Sequence, residues 1–387
     1  MRVAVATSFP DDPDRPHGGV EAVSVNLVRA LSKRTDCEVH VVTVRRECES
    51  YVERLWQGAV IHRLPWLGGR TLTNAVGRGR RQLQERLIEM APEVVHAHDT
   101  YGLMVKGLNL PRVFTVHGFI HADTRLSGSK WAGLRSRLWR RVEKAGWADQ
   151  QHIIAISPYV RRELEKTVKG QIYDIENPVS EAFFGIERNE GSATVFCAAV
   201  ICPRKNTLGL LEAVARLVTA GVDVRLRLAG AAADRAYASE VRDLIQTSPL
   251  NGRVALLGTL SSEQVRQELA AASVFALVSL EENSPMCIEE AMAAGVPVVT
   301  SNRCGMPYMV QDGHTGFLVD PTKPDEISQR LRRLLEEDAL RQEMGMASRQ
   351  AARERFHPDG VAARTYEVYR KAIDGFGGHG GKAGEAG

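Results

Sequence analysis

Residues 1–32 read MRVAVATSFPDDPDRPHGGVEAVSVNLVRALS, and residues 194–219 read TVFCAAVICPRKNTLGLLEAVARLVT. Each stretch opens with an unbroken apolar run, passes through a Pro-bearing loop and ends in a segment with helical spacing of its apolar residues. Such a run is a strand buried on both faces, which in turn implies a parallel sheet whose strands are joined by helical crossovers. The plan repeats on either side of these stretches. Strands are predicted at Arg2–Thr7, Glu38–Val44, Val60–Leu64, Val94–His98, Arg112–Val116 and His152–Ile156. After Asn177-Pro178 they resume at Thr194–Ala199, Asp223–Leu228, Arg253–Leu257, Val274–Val278 and Val296–Thr300. Helices are predicted between them, among them Val20–Ser32, Leu72–Met90 and Asn206–Thr219. The chain of 387 residues therefore reads as an α/β protein of two Rossmann-like domains facing a central cleft, with ligands beyond the carboxyl ends of the strands. The expected boundaries are 1–180 and 181–357, a linker near 176–192, a helix over 358–374 and a disordered Gly-rich tail over 375–387.

Composition bounds the function. Hydrophobic residues make up 44% and charged residues 25%, with a net charge of +3, which is ordinary for a globular chain and too weakly basic to argue for nucleic acid. No apolar run is long enough for a spanning helix, and the N-terminus reads as a strand rather than a signal, so a cytoplasmic location is expected. The six cysteines show no C-x-x-C spacing and read as reduced thiols.

Several constellations can carry chemistry. Gly18-Gly19 opens a helix after the first strand, where backbone amides can approach an anion, although the G-x-G-x-x-G nicotinamide fingerprint is absent. Asp12-Pro13-Asp14 resembles a metal-binding D-x-D, but a Pro-rich surface loop holds a hard cation poorly, and solvated turn residues are the simpler reading. His96 and His98 share one face of a strand, with His117 at the end of the next and His121 nearby. No third zinc ligand is fixed by spacing, so a polar wall that hydrogen-bonds substrate is favoured, with His117 as its main member. From Arg125 to Lys144, seven cations and a single acid, Glu143, alternate with Trp131 and Trp139. Three readings stay open there: a solvated face with Trp turned inward, an anionic membrane surface, or an anionic acceptor. Pro203-Arg204-Lys205-Asn206 can set a Lys on a phosphate.

The densest signal is Glu281-Glu282-Asn283-Ser284-Pro285-Met286-Cys287-Ile288-Glu289-Glu290-Ala291-Met292-Ala293-Ala294-Gly295-Val296-Pro297-Val298-Val299. Ser284 is the expected N-cap and Pro285 the first helical residue, with Gly295 stopping the helix. The first-turn amides would face an anion, the Glu290 carboxylate can accept two ribose hydroxyls, and Glu282 can reach a sugar.

With this E-x7-E helix, the G-G-x-E loop, V-V-H-A-H, T-V-H-G at Thr115–Gly118, I-A-I-S at Ile154–Ser157, N-P-V at Asn177–Val179, the R-K-N loop and Asp312–Val319, the chain resembles the retaining family-four glycosyltransferases of GT-B fold. The resemblance implies an NDP-sugar donor held mainly by the C-terminal domain and an acceptor held mainly by the N-terminal domain. It also implies retention of configuration and no bound metal or other cofactor. By that likeness, Lys205 contacts the diphosphate and Glu290 the ribose. Glu282, Asn283, Ser284, Pro285 and Met286 lie near the sugar, and the backbone at Leu257 and Gly258 holds the base. His117 lines the reacting side, which makes His117 and Glu282 the catalytic pair. Gly19 is placed with the donor, and Gly18, His98 and His121 with the acceptor. The helix from Pro358 would brace the N-terminal domain.

The sequence departs from the family pattern at Ala199-Val200, where a Gly-Arg pair is usual, at Gly305-Met306-Pro307-Tyr308 and at Glu282-Asn283-Ser284-Pro285. Arg204 is the expected substitute for the missing charge. UDP is favoured as the nucleotide, and a saccharide, a lipid-linked sugar or a small metabolite such as an aminocyclitol as the acceptor. The competing readings are a nucleotide-sugar binder without catalysis and a GT-B epimerase or phosphorylase; the last needs a pyridoxal Lys that no motif marks.

Overall fold

The computed structural model describes residues 1–69, 71–125, 131–191, 193–247 and 249–380. The chain divides into two compact units. One comprises Met1–Pro178 together with the chain from Pro358 onward, and the other Val179–His357.

The first unit is built on β1 (Arg2–Ala6), β2 (Glu38–Arg45), β3 (Val52–Trp56), β4 (Ala59–Pro65), β5 (Val94–His98), β6 (Arg112–Val116), β7 (His152–Ala155) and β8 (Gln171–Asp174). They form one sheet in the order β3-β4-β2-β1-β5-β6-β7-β8, parallel throughout except for the β3–β4 pair. Alternation along the strands divides the core. Val3 and Val5 pack on one face with Val25, Val28 and Leu31, while Ala4 and Ala6 pack on the other with Leu83, Leu87 and Phe114. Burial on both faces is what the unbroken apolar runs required.

The sequence reading leaves out β8 and, in the second unit, the strand Gly316–Val319, and four further features differ from it. β3 is an edge strand joined to β4 by a tight turn at Gln57 (φ +44°) and Gly58 (φ +85°). Its exposed, polar composition gave no apolar run to detect. The helical segment beginning near Leu72 is two helices, Thr71–Val76 and Arg78–Met90, separated at Gly77. The stretch expected as a linker enters the second unit's core through Val179, Phe183, Phe184 and Ile186. Finally, the helix from Pro358 continues to Gly380, past the expected end at 374, so residues 375–380 are helical rather than disordered. The rest of the expected tail lies outside the described residues. Val361, Ala362, Tyr366, Tyr369 and Ala372 of this helix pack into the first unit beside the Gly19–Ser32 helix.

The second unit holds β9 (Thr194–Ala198), β10 (Arg225–Ala229), β11 (Val254–Gly258), β12 (Val274–Leu277), β13 (Val298–Ser301) and β14 (Gly316–Val319). All are parallel, in the order β11-β10-β9-β12-β13-β14. This is the 3-2-1-4-5-6 order of a doubly wound fold. The direction of winding reverses between β9 and β12, and the loops leaving those two strands diverge to open a crevice. In the first unit the same reversal falls between β1 and β5. Among the described residues, no helix is long and apolar enough to cross a membrane.

Candidate functional site

The crevice of the second unit is furnished by the loops after β9 and β12. After β9 the chain turns through a short 3-10 segment, Pro203–Lys205, and Asn206 adopts a left-handed conformation. The Asn206 side chain donates to the carbonyls of Val278 (3.2 Å) and Pro321 (2.7 Å), fastening this loop to the ends of β12 and β14. The backbone N–H of Leu280 donates to the carbonyl of Arg204 at 2.8 Å. Across that junction Arg204 Nη1 donates to Glu282 Oε1 at 2.7 Å and to the Glu281 carbonyl at 2.9 Å. Lys205 Nζ pairs with the same Glu282 oxygen. Two cations predicted to meet a diphosphate and an acid predicted to reach the sugar thus form one cluster. The loop after β13 closes against it: Gly305 N–H donates to the Glu282 carbonyl at 2.8 Å. A Cβ at Gly305 would lie 1.6 Å from the Asn283 carbonyl oxygen, so only glycine permits this approach.

The following helix, Met286–Ala293, begins one residue later than expected. Pro285 occupies the N-cap position, and no side chain caps the helix. Ser284, the expected cap, instead donates its hydroxyl to Glu289 Oε1 at 2.7 Å. Glu289 is wholly buried, and a buried carboxylate without a donor is costly, so the Ser284 hydroxyl serves it in place of the helix end. The helix ends as the sequence implied: Gly295 (φ +72°) and Val296 return their N–H groups to Met292 and Ala291. Glu290 is half-buried on this helix, and desolvation pushes its carboxyl up to about 8. Gly258 closes β11 with φ +66° and open space beside its α-carbon. Its carbonyl accepts the N–H of Gly230 at 2.7 Å. Val200 stands 40% exposed after β9, so no cation occupies the position where the family pattern has Arg, and Arg204 is engaged with Glu282.

In the first unit, Gly18 precedes the Gly19–Ser32 helix in an extended conformation with open space beside it. Asp12 and Asp14 pair with Arg15 and Arg29, as solvated turn residues do. The histidines divide into three environments. His96 is enclosed, with Nδ1 on the Tyr369 hydroxyl and Nε2 on the Thr115 hydroxyl, both at 2.7 Å. Desolvation lowers it to about 3. His98 lies beside it, ring centroids 4.3 Å apart, and its Nδ1 meets His117 Nε2 at 2.9 Å. His121 instead bonds Glu143 at 2.7 Å, and the same carboxylate accepts the N–H groups of Ile120 and His121.

Sequence reasoning missed Asp99. It sits at the end of β5 with φ +46° and accepts the backbone N–H groups of His117 (2.8 Å) and Gly118 (3.3 Å). Burial raises its carboxyl. Burial lowers His117, opposed by Asp99 and by a hydrogen bond with Asn177. The available signal was an Asp directly after a strand-end His, a residue type that tolerates the left-handed region. Among the described residues, no group of three or more His, Cys, Asp or Glu is arranged to hold a metal ion.

Two doubly wound sheets, the second with a basic turn and an acid brought together at its reversal, are similar in fold to the GT-B glycosyltransferases. Residues 17–183 match the model of glycosyltransferase family 4, and residues 179–351 that of glycosyl transferases group 1. The chain belongs to the family-four glycosyltransferases. It is 26% identical to the alpha-maltose-1-phosphate synthase of Mycolicibacterium smegmatis over 408 residues, covering 96% of this chain and 99% of that one. Its fold is similar to sucrose-phosphate synthase from Thermosynechococcus elongatus (TM-score 0.79, 20% identity, 97% of this chain and 100% of that one). It is also similar to HepE of Anabaena, solved with UDP and glucose (TM-score 0.69, 17% identity, 96% and 99%).

Proposed function

We propose that this glycosyltransferase moves a hexose or amino-hexose from an NDP-sugar, with UDP the favoured nucleotide, to a hydroxyl of a saccharide, lipid-linked or small-metabolite acceptor. Configuration would be retained and no metal required. The observation that carries the reading is the Arg204–Glu282–Lys205 cluster at the β9/β12 reversal, next to the uncapped Met286–Ala293 helix. Breaking a sugar–phosphate bond leaves negative charge on the diphosphate. Two cations and a helix N-terminus aimed at that charge would stabilise it once the diphosphate has displaced Glu282, which is the work a metal would otherwise do. Glu290 would accept the ribose hydroxyls, and the backbone near Gly258 would meet the base.

UDP is supported by the likeness to the Anabaena protein, whose structure contains it. An acceptor bearing a phosphate or a sugar is in keeping with the mycobacterial relative, a maltose-1-phosphate synthase by name. On the first unit, His98 orients the His117 ring and Asp99 fixes its backbone. His117 is assigned to the reacting side as a catalytic residue with Glu282, and Gly18, His98 and His121 to the acceptor side. Retention would follow from the leaving diphosphate staying on the face the acceptor attacks.

The test is a melting-temperature screen with UDP, GDP, ADP and dTDP, each with and without EDTA, with NAD as control. A rise with UDP that EDTA leaves unchanged is expected. A rise with another diphosphate would replace UDP, and one abolished by EDTA would overturn metal independence.

A further inference from the structure

The Ala132–Trp147 helix of the first unit has one face in the core and one that nothing in the unit covers. Ser136, Glu143, Gly146 and Trp147 point inward. On the outer side, Trp131, Leu134 and Leu138 follow one another at intervals of three and four residues, so they share a stripe. They are 70%, 65% and 52% exposed. Arg137, Arg140, Arg141 and Lys144 run alongside at the same spacing and together line a surface hollow. Among the described residues, none of these four cations has a carboxylate within ion-pair distance. The acid of the helix, Glu143, is buried and committed to His121. The sequence alternative in which both interleaved Trp residues turn inward is corrected: Trp139 is half-buried, but Trp131 faces out. Lys130 and its preceding loop lie outside the described residues.

A solvated basic face gains nothing from a Trp and two Leu side chains in water, and a purely electrostatic anion site has no need of them. An apolar stripe flanked by a row of unpaired cations matches an interface in which acyl chains lie below and anionic headgroups beside the helix. Arg and Lys stems reach along the apolar surface and place their charges at headgroup level. We infer that the outer face of the Ala132–Trp147 helix docks this protein on a bilayer carrying anionic lipid. The helix would lie in the plane of the interface with Trp131, Leu134 and Leu138 immersed. This surface stands apart from the transferase reading, because membrane binding is measured without any sugar transfer.

The experiment is vesicle flotation of the full chain with phosphatidylcholine alone and with phosphatidylcholine–phosphatidylglycerol mixtures, at low and high salt. Flotation is expected with the anionic vesicles, weakening as salt screens the headgroups. Each cation near such a surface contributes roughly a fivefold factor, so a combined Arg137→Gln, Arg140→Gln, Arg141→Gln variant should partition on the order of 100-fold more weakly. A Leu134→Ser, Leu138→Ser variant should lose binding at both salt concentrations. Unchanged melting curves for both variants would establish that these exposed substitutions leave the fold intact. Absence of flotation, or full flotation by the triple variant, would overturn the inference. Loss with the Arg variant but not with the Leu variant would also overturn it, by showing a soluble-polyanion site in place of a bilayer.

Discussion

Glu282 Oε1 lies 2.7 Å from Arg204 Nη1, and the same oxygen meets Lys205 Nζ. The carboxylate therefore occupies the charge that a diphosphate would seek, and a bound donor must compete with it. Glu282→Gln keeps the shape and removes the competitor. UDP should then bind more tightly, by roughly three- to tenfold, the scale of one partly screened ion pair. Transfer should fall on the order of 100-fold if the freed carboxylate is needed at the sugar. Calorimetric titration with UDP and a transfer assay separate the two effects. Weaker UDP binding by the variant would show that Glu282 orients the cations rather than competing with the diphosphate.

Arg204 stands four residues from the position where the family pattern carries Arg and this chain carries Val200. If its charge replaces the missing one, Arg204→Ala should weaken UDP binding by tenfold or more, on the order of one charge-assisted hydrogen bond. Val200→Ala, at an exposed side chain, should change it by less than about twofold. Lys205→Ala should reduce transfer by about 100- to 1000-fold, as loss of a preorganised charge does. Equal effects of Arg204→Ala and Val200→Ala would reject the substitution.

These expectations rest on elements that differ in how openly the sequence shows them. β5 and β6 were legible to the residue because strands buried on both faces leave unbroken apolar runs. β3 (VERLW) and β8 (QIYD) mix charged and polar residues with apolar ones and so leave no such run. The cluster of Arg204, Lys205 and Glu282 was legible only as separate motifs. Their meeting depends on the β9/β12 reversal, a property of strand order that local periodicity does not carry. Ser284 was misplaced because a Ser before a Pro fits an N-cap on local grounds. The competing demand, a donor for the buried Glu289, comes from tertiary packing. Asp99 was overlooked for the same reason: its role depends on where β6 ends, not on its neighbours in sequence.

The Glu290 carboxyl, raised by desolvation to about 8, makes a statement about stability. Its ordinary value in an unfolded chain is near 4.3, so the folded protein holds this proton more tightly than the unfolded one. Stability then falls as pH rises from about 4.5 to about 8 and levels off above that. Glu290→Gln removes the ionisation. The variant should match the parent at pH 5 and melt at a higher temperature at pH 9, as differential scanning calorimetry across that range would show. A gap that does not change with pH would mean that Glu290 is ionised in the folded protein. Above about pH 8, where the parent presents a carboxylate, the same variant should bind UDP less well, since an amide accepts two ribose hydroxyls less effectively than a carboxylate.

His96 links the C-terminal helix to the sheet of the first unit through Tyr369. A neutral imidazole has one donor and one acceptor nitrogen, and the hydroxyls of Tyr369 and Thr115 can each take whichever role is left. Both ring nitrogens are thus satisfied while the ring is neutral, and a charged ring would be stripped of water in this core, which is why burial holds it down at about 3. An unfolded His takes up a proton near 6.5, so the folded state binds fewer protons over the window between these values. The resulting stability is complete above about pH 6.5 and is lost as pH falls toward 3. Tyr369→Phe keeps the ring in the core and leaves His96 Nδ1 without its partner. It should cost about 1–3 kcal/mol in urea unfolding at neutral pH, the range for a buried polar group left unsatisfied. His96→Leu should remove one proton's share of the dependence on acid in that window, the rest staying with His62, His98 and His117, which burial also lowers. If His96→Leu unfolds in acid along the same curve as the parent, the titration belongs to other groups. The link from Tyr369 to the sheet would then be one of packing rather than of charge.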